Sequence, residues 1–406
     1  MTRRLALVSL DWIRAKDPRT SLGHASLLAR LRQLPDLDVV SVAFAVNDPA
    51  FSRATLLETL LDVVRGHDAD IAIGAYVWNE AVVQWVLPAL RQAGFAGRIL
   101  LGGPQITYAP AGIDTTYPDA DVFVRGHAED ALAQLLLADD ANGIAGVSLR
   151  GRDHPALPAA AALDALPSPL LSGALPASRF MRWETQRGCI YACSFCQHRE
   201  SGSRLRKSTF APDRIAAEID TMVAAGVRDI AVLDPIFHSN PAAVDILRRF
   251  ASRGFTGRIS LQSRFELVDD AFLAACEGLD VRLEFGLQTT QPAEMNAVGR
   301  RNDLTKVDRV ILELHRRQLP FEVSLIYGLP EQTLASFEAS VAWCRARGVT
   351  TLKAFPLMLL RGTLLDQDRA RWALVESDDE IPVVVESSTF SRDDWERMKA
   401  IAEGLD

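Results

Sequence analysis

The strongest limit on the fold of this chain is an alternation. Short apolar runs, Leu5 to Leu10, Val39 to Ala45, Ile71 to Ala75, Ile99 to Leu101 and Val122 to Val124, recur through the first 150 residues. Runs of that length rich in Val, Ile and Leu read as strands buried on both faces. Between them Leu22 to Leu34, Ala54 to Arg65 and Glu80 to Ala93 carry apolar residues at helical spacing. Strand, helix and strand joined by short connections predict a parallel sheet in a Rossmann-like, doubly wound α/β fold, whose ligands sit at the C-terminal ends of the strands. Beyond residue 178 the alternation restarts: Arg182 to Thr185, Asp229 to Leu233, Arg258 to Gln262, Arg282 to Gly286, Glu322 to Ile326 and Thr351 to Phe355 are six strand-like runs separated by helix-length segments. Six units predict a barrel-like sheet shorter than a full (β/α)8 barrel.

The stretch between the two alternations, His154 to Ser178, contains Pro155, Pro158, Pro167, Pro169 and Pro176. Prolines at that density exclude a long helix or a central strand, so the stretch reads as a linker. The expected division is therefore a sheet domain over 1–150, a linker over 151–178, a barrel over 179–360 and a C-terminal extension over 361–406. One helix can be read in detail. Pro212 suits the first turn, Ile215, Ile219, Met222 and Val223 share a face, and Gly226 suits the left-handed position past the end. In the extension Asp378, Asp379, Glu380 and Pro382 interrupt the pattern before a final amphipathic helix around Trp395 to Ala402.

Lys and Arg total 44 against 52 Asp and Glu, a net charge of −8. An acidic chain has no global field for phosphate backbones or anionic lipid, so neither nucleic acid nor a membrane surface is an expected partner. No stretch approaches the roughly 18 apolar residues of a membrane span, and the apolar run after the basic start is too short for a signal peptide. The expectation is a cytoplasmic enzyme. In a reducing compartment an odd set of five cysteines does not build a disulfide framework, so their spacing is read for metal or catalysis.

Cys189, Cys193 and Cys196 form a C-x3-C-x2-C run just after the first strand of the second domain. Three close thiolates are soft ligands for iron–sulfur or zinc. With His198 they have the composition of a Cys3His zinc site, and a zinc-stabilised binding module is the non-enzymatic alternative. Cys276 and Cys344 stand alone on helical segments and read as buried, inert thiols.

The cysteine run, with Phe195 just before its third member and at the end of a first barrel strand, closely resembles the radical S-adenosylmethionine (SAM) superfamily. The resemblance implies a [4Fe–4S] cluster held by Cys189, Cys193 and Cys196, a free iron that chelates the amino and carboxylate groups of SAM, and reductive cleavage of SAM to a 5′-deoxyadenosyl radical. It also implies a partial (β/α)6 barrel, in agreement with the six strands. By the same resemblance Asp234 accepts from the SAM amine and Arg264 pairs with the SAM carboxylate. Glu284 and Gln288, on one side of a strand, face ribose and substrate, and Gly328 lies along the adenine. Glu284 and Tyr327 are the catalytic candidates. The bland readings of these residues are helix capping for Asp234, a surface ion pair for Arg264 and a turn for Gly328.

The chain as a whole resembles proteins that join a cobalamin-binding-like N-terminal domain to a radical SAM barrel. Ile73-Gly74-Ala75-Tyr76-Val77-Trp78-Asn79, Leu101-Gly102-Gly103-Pro104-Gln105 and Gly126-His127-Ala128-Glu129 carry that likeness, and it implies that Tyr76, Trp78, Asn79, Gly102, Gly103 and Gly126 line cobalamin. No Asp-x-His-x-x-Gly is present, so no histidine is marked as a lower cobalt ligand, and Ala75 stands where relatives often carry serine. The implied activity is functionalisation of an unactivated C–H in a small metabolite, by cobalamin-dependent methyl transfer or by cobalamin-independent dehydration, epimerisation or rearrangement. Arg199, Arg204, Arg206 and Lys207 read as a guide for an acidic electron donor such as flavodoxin, as a clamp for an anionic substrate, or as a solvated loop. Arg361 reads as a residue of the substrate mouth or of a structural ion pair.

Overall fold

A computed structural model describes residues 3–15, 17, 21–138, 140–152, 158–198 and 207–405. Among them the chain divides into two units, one formed up to Pro176 and the other from Ala177 onward.

The first unit is built on β1 (Arg3–Asp11), β2 (Leu37–Ala45), β3 (Ala69–Gly74), β4 (Ile99–Gly102), β5 (Val122–Val124) and β6 (Val147–Leu149). They lie in the order β2-β1-β3-β4-β5-β6, parallel except for β6, which runs antiparallel to β5. Both faces of β1 are apolar because both are covered. Leu5 and Leu7 pack with Leu28, Leu31, Leu132 and Leu135 from helices Leu22–Leu31 and Ala128–Leu137. Ala6, Val8 and Leu10 pack with Leu56, Leu60, Val83 and Val86 from helices Arg53–Val64 and Glu80–Gln92. This is the doubly wound architecture, and its order reverses at β1, which sends neighbouring connections to opposite faces and opens a crevice at the strand ends. The reading from periodicity omitted β6, a three-residue edge strand, and the helix that follows β5.

Two glycine positions here are fixed by backbone. Gly103 has φ of 90°, and a Cβ on it would stand 2.6 Å from the Ala75 carbonyl oxygen. Gly126, also at 90°, would bring a Cβ to 2.3 Å from the Ala159 oxygen. Gly102 is different, since the nearest atom to its Cβ would be the Val124 oxygen at 3.6 Å.

The second unit contains β7 (Phe180–Trp183), β8 (Gln186–Arg187), β9 (Ser208–Thr209), β10 (Asp229–Val232), β11 (Arg258–Ser263), β12 (Asp280–Gln288), β13 (Phe321–Tyr327), β14 (Leu352–Pro356), β15 (Val375–Glu376) and β16 (Val384–Glu386). β7 and β10 to β14 make one parallel sheet in sequence order, the partial (β/α)6 barrel. β8 and β9 form a short antiparallel pair beside it. The helix Pro212–Ala224 begins with its proline in the first turn and is followed by Gly226 at φ of 70°. Along β12 Val281, Leu283, Phe285 and Leu287 are buried, while Arg282, Glu284, Gly286 and Gln288 on the opposite face stay partly open. That second face is polar. At its end the register with β13 shifts between Gly286 and Gln288, and Gln288 takes φ of 71°, a bulge of the kind that re-aims side chains. The C-terminal helix Arg392–Glu403 packs Trp395 against Tyr327 with ring centroids 5.8 Å apart and planes tilted by 47°. No helix among the described residues is long and apolar enough to cross a membrane.

Gly103→Ala should lower the stability of the first unit by about 2 kcal/mol or more, since it adds a clash to a left-handed conformation. Gly102→Ala should change it by less than about 1 kcal/mol. Urea unfolding followed by circular dichroism checks the pair.

Candidate functional site

The six strands of the parallel sheet, β7 and β10 to β14, share a direction, so their C-terminal ends share an edge, and the loops leaving that edge make a cleft of about 760 Å3, part of it open to solvent. Cys189, Cys193 and Cys196 line it together with Tyr191, Phe195, His198, Leu233, Pro235, Gln262, Arg264, Gly286, Gln288 and Arg300. The thiols are free. The loop that carries them folds back on itself: the Tyr191 amide donates to Cys189 Sγ at 3.5 Å, the His198 amide to Cys196 Sγ at 3.4 Å, and the Cys196 amide to the Cys193 carbonyl at 3.2 Å. It is held from outside as well. The Ser194 amide donates to the Val298 carbonyl at 2.9 Å, the Leu365 amide to the Ser194 carbonyl at 2.9 Å, and Gln197 Nε2 to the Arg361 carbonyl at 2.9 Å. Burial pushes the Cys189 thiol up, against the opposing pull of the Tyr191 amide, and raises Cys196 to about 11.

Two guanidiniums face these sulfurs. Arg264, 4% exposed, pairs with Glu266 at 2.8 Å, donates to the Arg301 carbonyl at 2.8 Å and lies 3.6 Å above the Tyr191 ring. This is a buried anchor and not a surface ion pair. Arg300 donates from Nη1 to Cys193 Sγ at 3.7 Å and from Nη2 to the Gly286 carbonyl, while its Nε is buried with no hydrogen-bond partner. Strand-end reasoning missed Arg300. It arrives from the loop after the short helix Pro292–Ala297, and no periodicity marks it.

Several expected residues have other tasks. Asp234 is fully buried and absent from the cleft lining; its carboxylate accepts from the Thr185 amide at 2.7 Å, from the Thr185 hydroxyl and from the Gln186 amide at 3.3 Å. These contacts make it an anchor for the chain segment that leads into the cysteine loop. Burial raises its pKa to about 7 against those hydrogen bonds. Tyr327, expected as a catalytic candidate, sits on the helix-facing side of β13 between Phe337 and Trp395, where burial pushes its phenol up to about 12. Glu284 lies off the cleft, takes a hydrogen bond from Gln262 Nε2, and is pushed up by burial and by Glu322. Gln288 does line the cleft. Gly328, at φ of 92°, is a turn whose amide donates to the buried Gln332 at 2.7 Å. Lys207 is tied to the Ser239 carbonyl; Arg199, Arg204 and Arg206 lie outside the described residues. Cys276 and Cys344 are fully buried and raised by burial to about 12.

The first unit has its own cleft, of about 590 Å3 with part of it open to solvent, at the ends of β1, β3 and β4. Ser9, Leu10, His24, Tyr76, Gly102, Gly103 and Leu132 are among its lining. His24 shares a hydrogen bond with Ser41 Oγ at 2.8 Å, and burial lowers its pKa to about 4, so the ring is neutral at pH 7. Trp78, Asn79 and Gly126 lie outside the lining. Trp78 Nε1 and Asn79 Nδ2 both donate to the Leu10 carbonyl, at 3.1 and 3.0 Å, and Asn79 Oδ1 accepts from the Tyr76 amide at 2.8 Å. These two side chains hold the loop that presents Tyr76, which stacks on Trp78 with centroids 4.5 Å apart.

A Cys3His zinc site needs Cys189, Cys193, Cys196 and His198 around one ion at bond distance. The four side chains line one cleft, but among the described residues no three His, Cys, Asp or Glu side chains stand close enough to hold a single ion. A four-iron cluster makes a different demand, one thiolate for each of three separate irons, and three thiols lining one cleft suit it.

Comparison with known proteins agrees with this geometry. The Radical SAM superfamily profile matches residues 183–344, so this segment is a radical SAM domain. The chain is 28% identical over 332 residues to the cobalamin-dependent radical SAM methyltransferase TokK of Streptomyces tokunonensis, covering 74% of this chain and 48% of that protein. It is 26% identical over 407 residues to a 2-(S-pantetheinyl)-carbapenam-3-carboxylate methyltransferase of Streptantibioticus cattleyicolor, covering 88% of this chain and 59% of the relative. The chain thus spans about half the length of these curated relatives. Among solved structures the methyltransferase TsrM from Kitasatospora setae superposes with a TM-score of 0.76 at 14% identity, over 100% of this chain and 89% of that one.

Asp234 generates a pH prediction. Its folded pKa of about 7 lies above the unfolded carboxylate value, so the native state binds the extra proton. That contribution is full below about pH 4 and is lost as pH rises towards about 7. The stability difference between wild type and Asp234→Asn should therefore shift against the wild type by up to roughly 4 kcal/mol across that window, read from urea midpoints of the second unit at several pH values.

Proposed function

We propose that this chain, whose residues 183–344 are a radical SAM domain, reductively cleaves SAM at a [4Fe–4S] cluster and methylates an unactivated carbon of a small molecule with cobalamin as methyl carrier. The observation that carries the reading is the convergence of Cys189, Cys193, Cys196, Arg264 and Arg300 on one cleft at the C-terminal edge of a parallel half-barrel. The cluster supplies the electron for SAM cleavage and cobalamin supplies the transferable methyl group.

The protein's own part is binding and exclusion of water. The three thiolates hold the metal group on a loop fixed at both flanks. Gln262, Arg264 and Gln288 offer polar groups along the cleft, with Arg264 the natural partner of a SAM carboxylate because its guanidinium is already immobilised on Tyr191 and Glu266. Phe195 and Leu233 provide apolar wall. Glu284, on the polar face of β12 but off the cleft, holds Gln262, which does line it. In the first unit the cavity occupies the crevice where such folds bind flat cofactors. Tyr76 and the open side of Gly102 supply its closest approach for cobalamin. A cytoplasmic setting suits the free thiols, and a small protein such as flavodoxin is the expected electron donor.

A second reading keeps the cluster and omits cobalamin, ending in dehydration, epimerisation or rearrangement. It gains weight from Gly103 and Gly126, which backbone contacts alone explain.

Anaerobic reconstitution should give about four irons per chain, and each of Cys189→Ala, Cys193→Ala and Cys196→Ala should lose most of that iron with at least a hundredfold drop in SAM cleavage. A wild type that binds one zinc and no iron would overturn the reading. Separately, cobalamin should bind at about one per chain, and Gly102→Leu, which projects a side chain into the cavity, should weaken it tenfold or more; turnover yielding 5′-deoxyadenosine with no methylated product would favour the second reading.

A further inference from the structure

The two guanidiniums of the cleft differ in how their charge is balanced. Arg264 carries its own counterion, Glu266, at 2.8 Å. Arg300 has no carboxylate partner among the described residues; its contacts are the Cys193 sulfur, the Gly286 carbonyl and, at Nε, nothing. It is 9% exposed. An Arg side chain does not give up its proton in a protein, so a positive charge with no direct ion pair, felt by Glu266 only from beyond contact, stands beside one of the three cysteine sulfurs in a region of low dielectric. Such an arrangement is costly unless a negative group completes it. The backbone keeps the charge there: the Arg300 amide donates to the Met295 carbonyl at 2.9 Å, and the Ser194 amide, next to Cys193, donates to Val298 at 2.9 Å. Gly299, at φ of 63°, makes the turn between Val298 and Arg300.

We infer that Arg300 is a positioning residue that raises the reduction potential of the metal group by holding a fixed cation and an N–H donor against the Cys193 sulfur. The inference rests on the cluster assignment above and deepens it. Reduction adds one electron to the cluster from an external low-potential donor and makes no bond. The added negative charge, spread over the thiolate sulfurs, is stabilised by an adjacent cation and by hydrogen bonds to sulfur. Arg264 shares the cleft but donates to no sulfur, its described hydrogen bonds going to Glu266 and the Arg301 carbonyl.

The test is a dithionite titration of the reconstituted full-length chain at a series of fixed potentials, with the reduced cluster counted by electron paramagnetic resonance. Arg300→Met and Arg300→Gln should retain about four irons and show about a tenfold lower ratio of reduced to oxidised cluster at a given potential, equivalent to ~59 mV for one electron. Arg300→Lys, which keeps the charge, should recover most of the difference. Arg264→Met should move the ratio by less than about threefold, ~28 mV on the same scale. Unchanged ratios in Arg300→Met and Arg300→Gln at full iron would overturn the inference, and so would an Arg264→Met shift as large as theirs. Loss of iron from both Arg300 variants with the fold intact would also overturn it, because Arg300 would then be a prop of the loop. A wild type without iron would instead overturn the cluster assignment itself.

Discussion

A single carboxylate sets the position of the cysteine loop. Asp234, at the end of β10, is fully buried and spends its acceptor capacity on Thr185 and Gln186, the residues by which the chain leaves β7. Its neighbours Leu233 and Pro235 meanwhile face the cleft. The strand end is thus divided between backbone anchoring and cleft wall. Gln186 continues the same joint by donating to the Ile236 carbonyl at 2.7 Å, and Asn240 reaches the Thr185 hydroxyl at 2.8 Å. The network is paired at Asp234, Thr185 and Asn240, while the Gln186 side-chain oxygen is buried without a hydrogen-bond partner. Here it fixes the direction in which Cys189 departs.

The fold was largely legible because period and length decide it. Strands buried on both faces leave near-continuous apolar runs, and β1, β3 and β12 are found within a few residues of their expected limits. The elements that escaped notice are those whose sequence carries no period: β6, the β8–β9 pair and β15–β16 are two or three residues long, too short for alternation to register.

The site was legible to a different degree. The cysteine spacing announced itself because its ligands are consecutive on one loop. Individual strand-end residues were harder. Asp234 and Tyr327 both sit where a strand meets the cleft edge, and which way each side chain turns depends on the pleat and on what lies behind it. Tyr327 shares the buried face with Val323 and Leu325, so the two-residue period that placed Glu284 and Gln288 together also takes the phenol away from the opening. Arg300 had no local signal at all. Its role comes from tertiary contact between two loops, which sequence spacing does not encode.

The supports of the cysteine loop come from far along the chain. Gln197 is tied to Arg361, 164 positions later, and Ser194 is tied to Leu365 and to Val298. During synthesis the three thiols leave the ribosome well before any of these supports has been made. The loop is then a tether without walls, open to stray metals and to oxidation, and it gains its enclosure only when the last part of the barrel and the segment after β14 have folded. Loading of a metal group in its finished setting would therefore come only after the segment following β14 has been made.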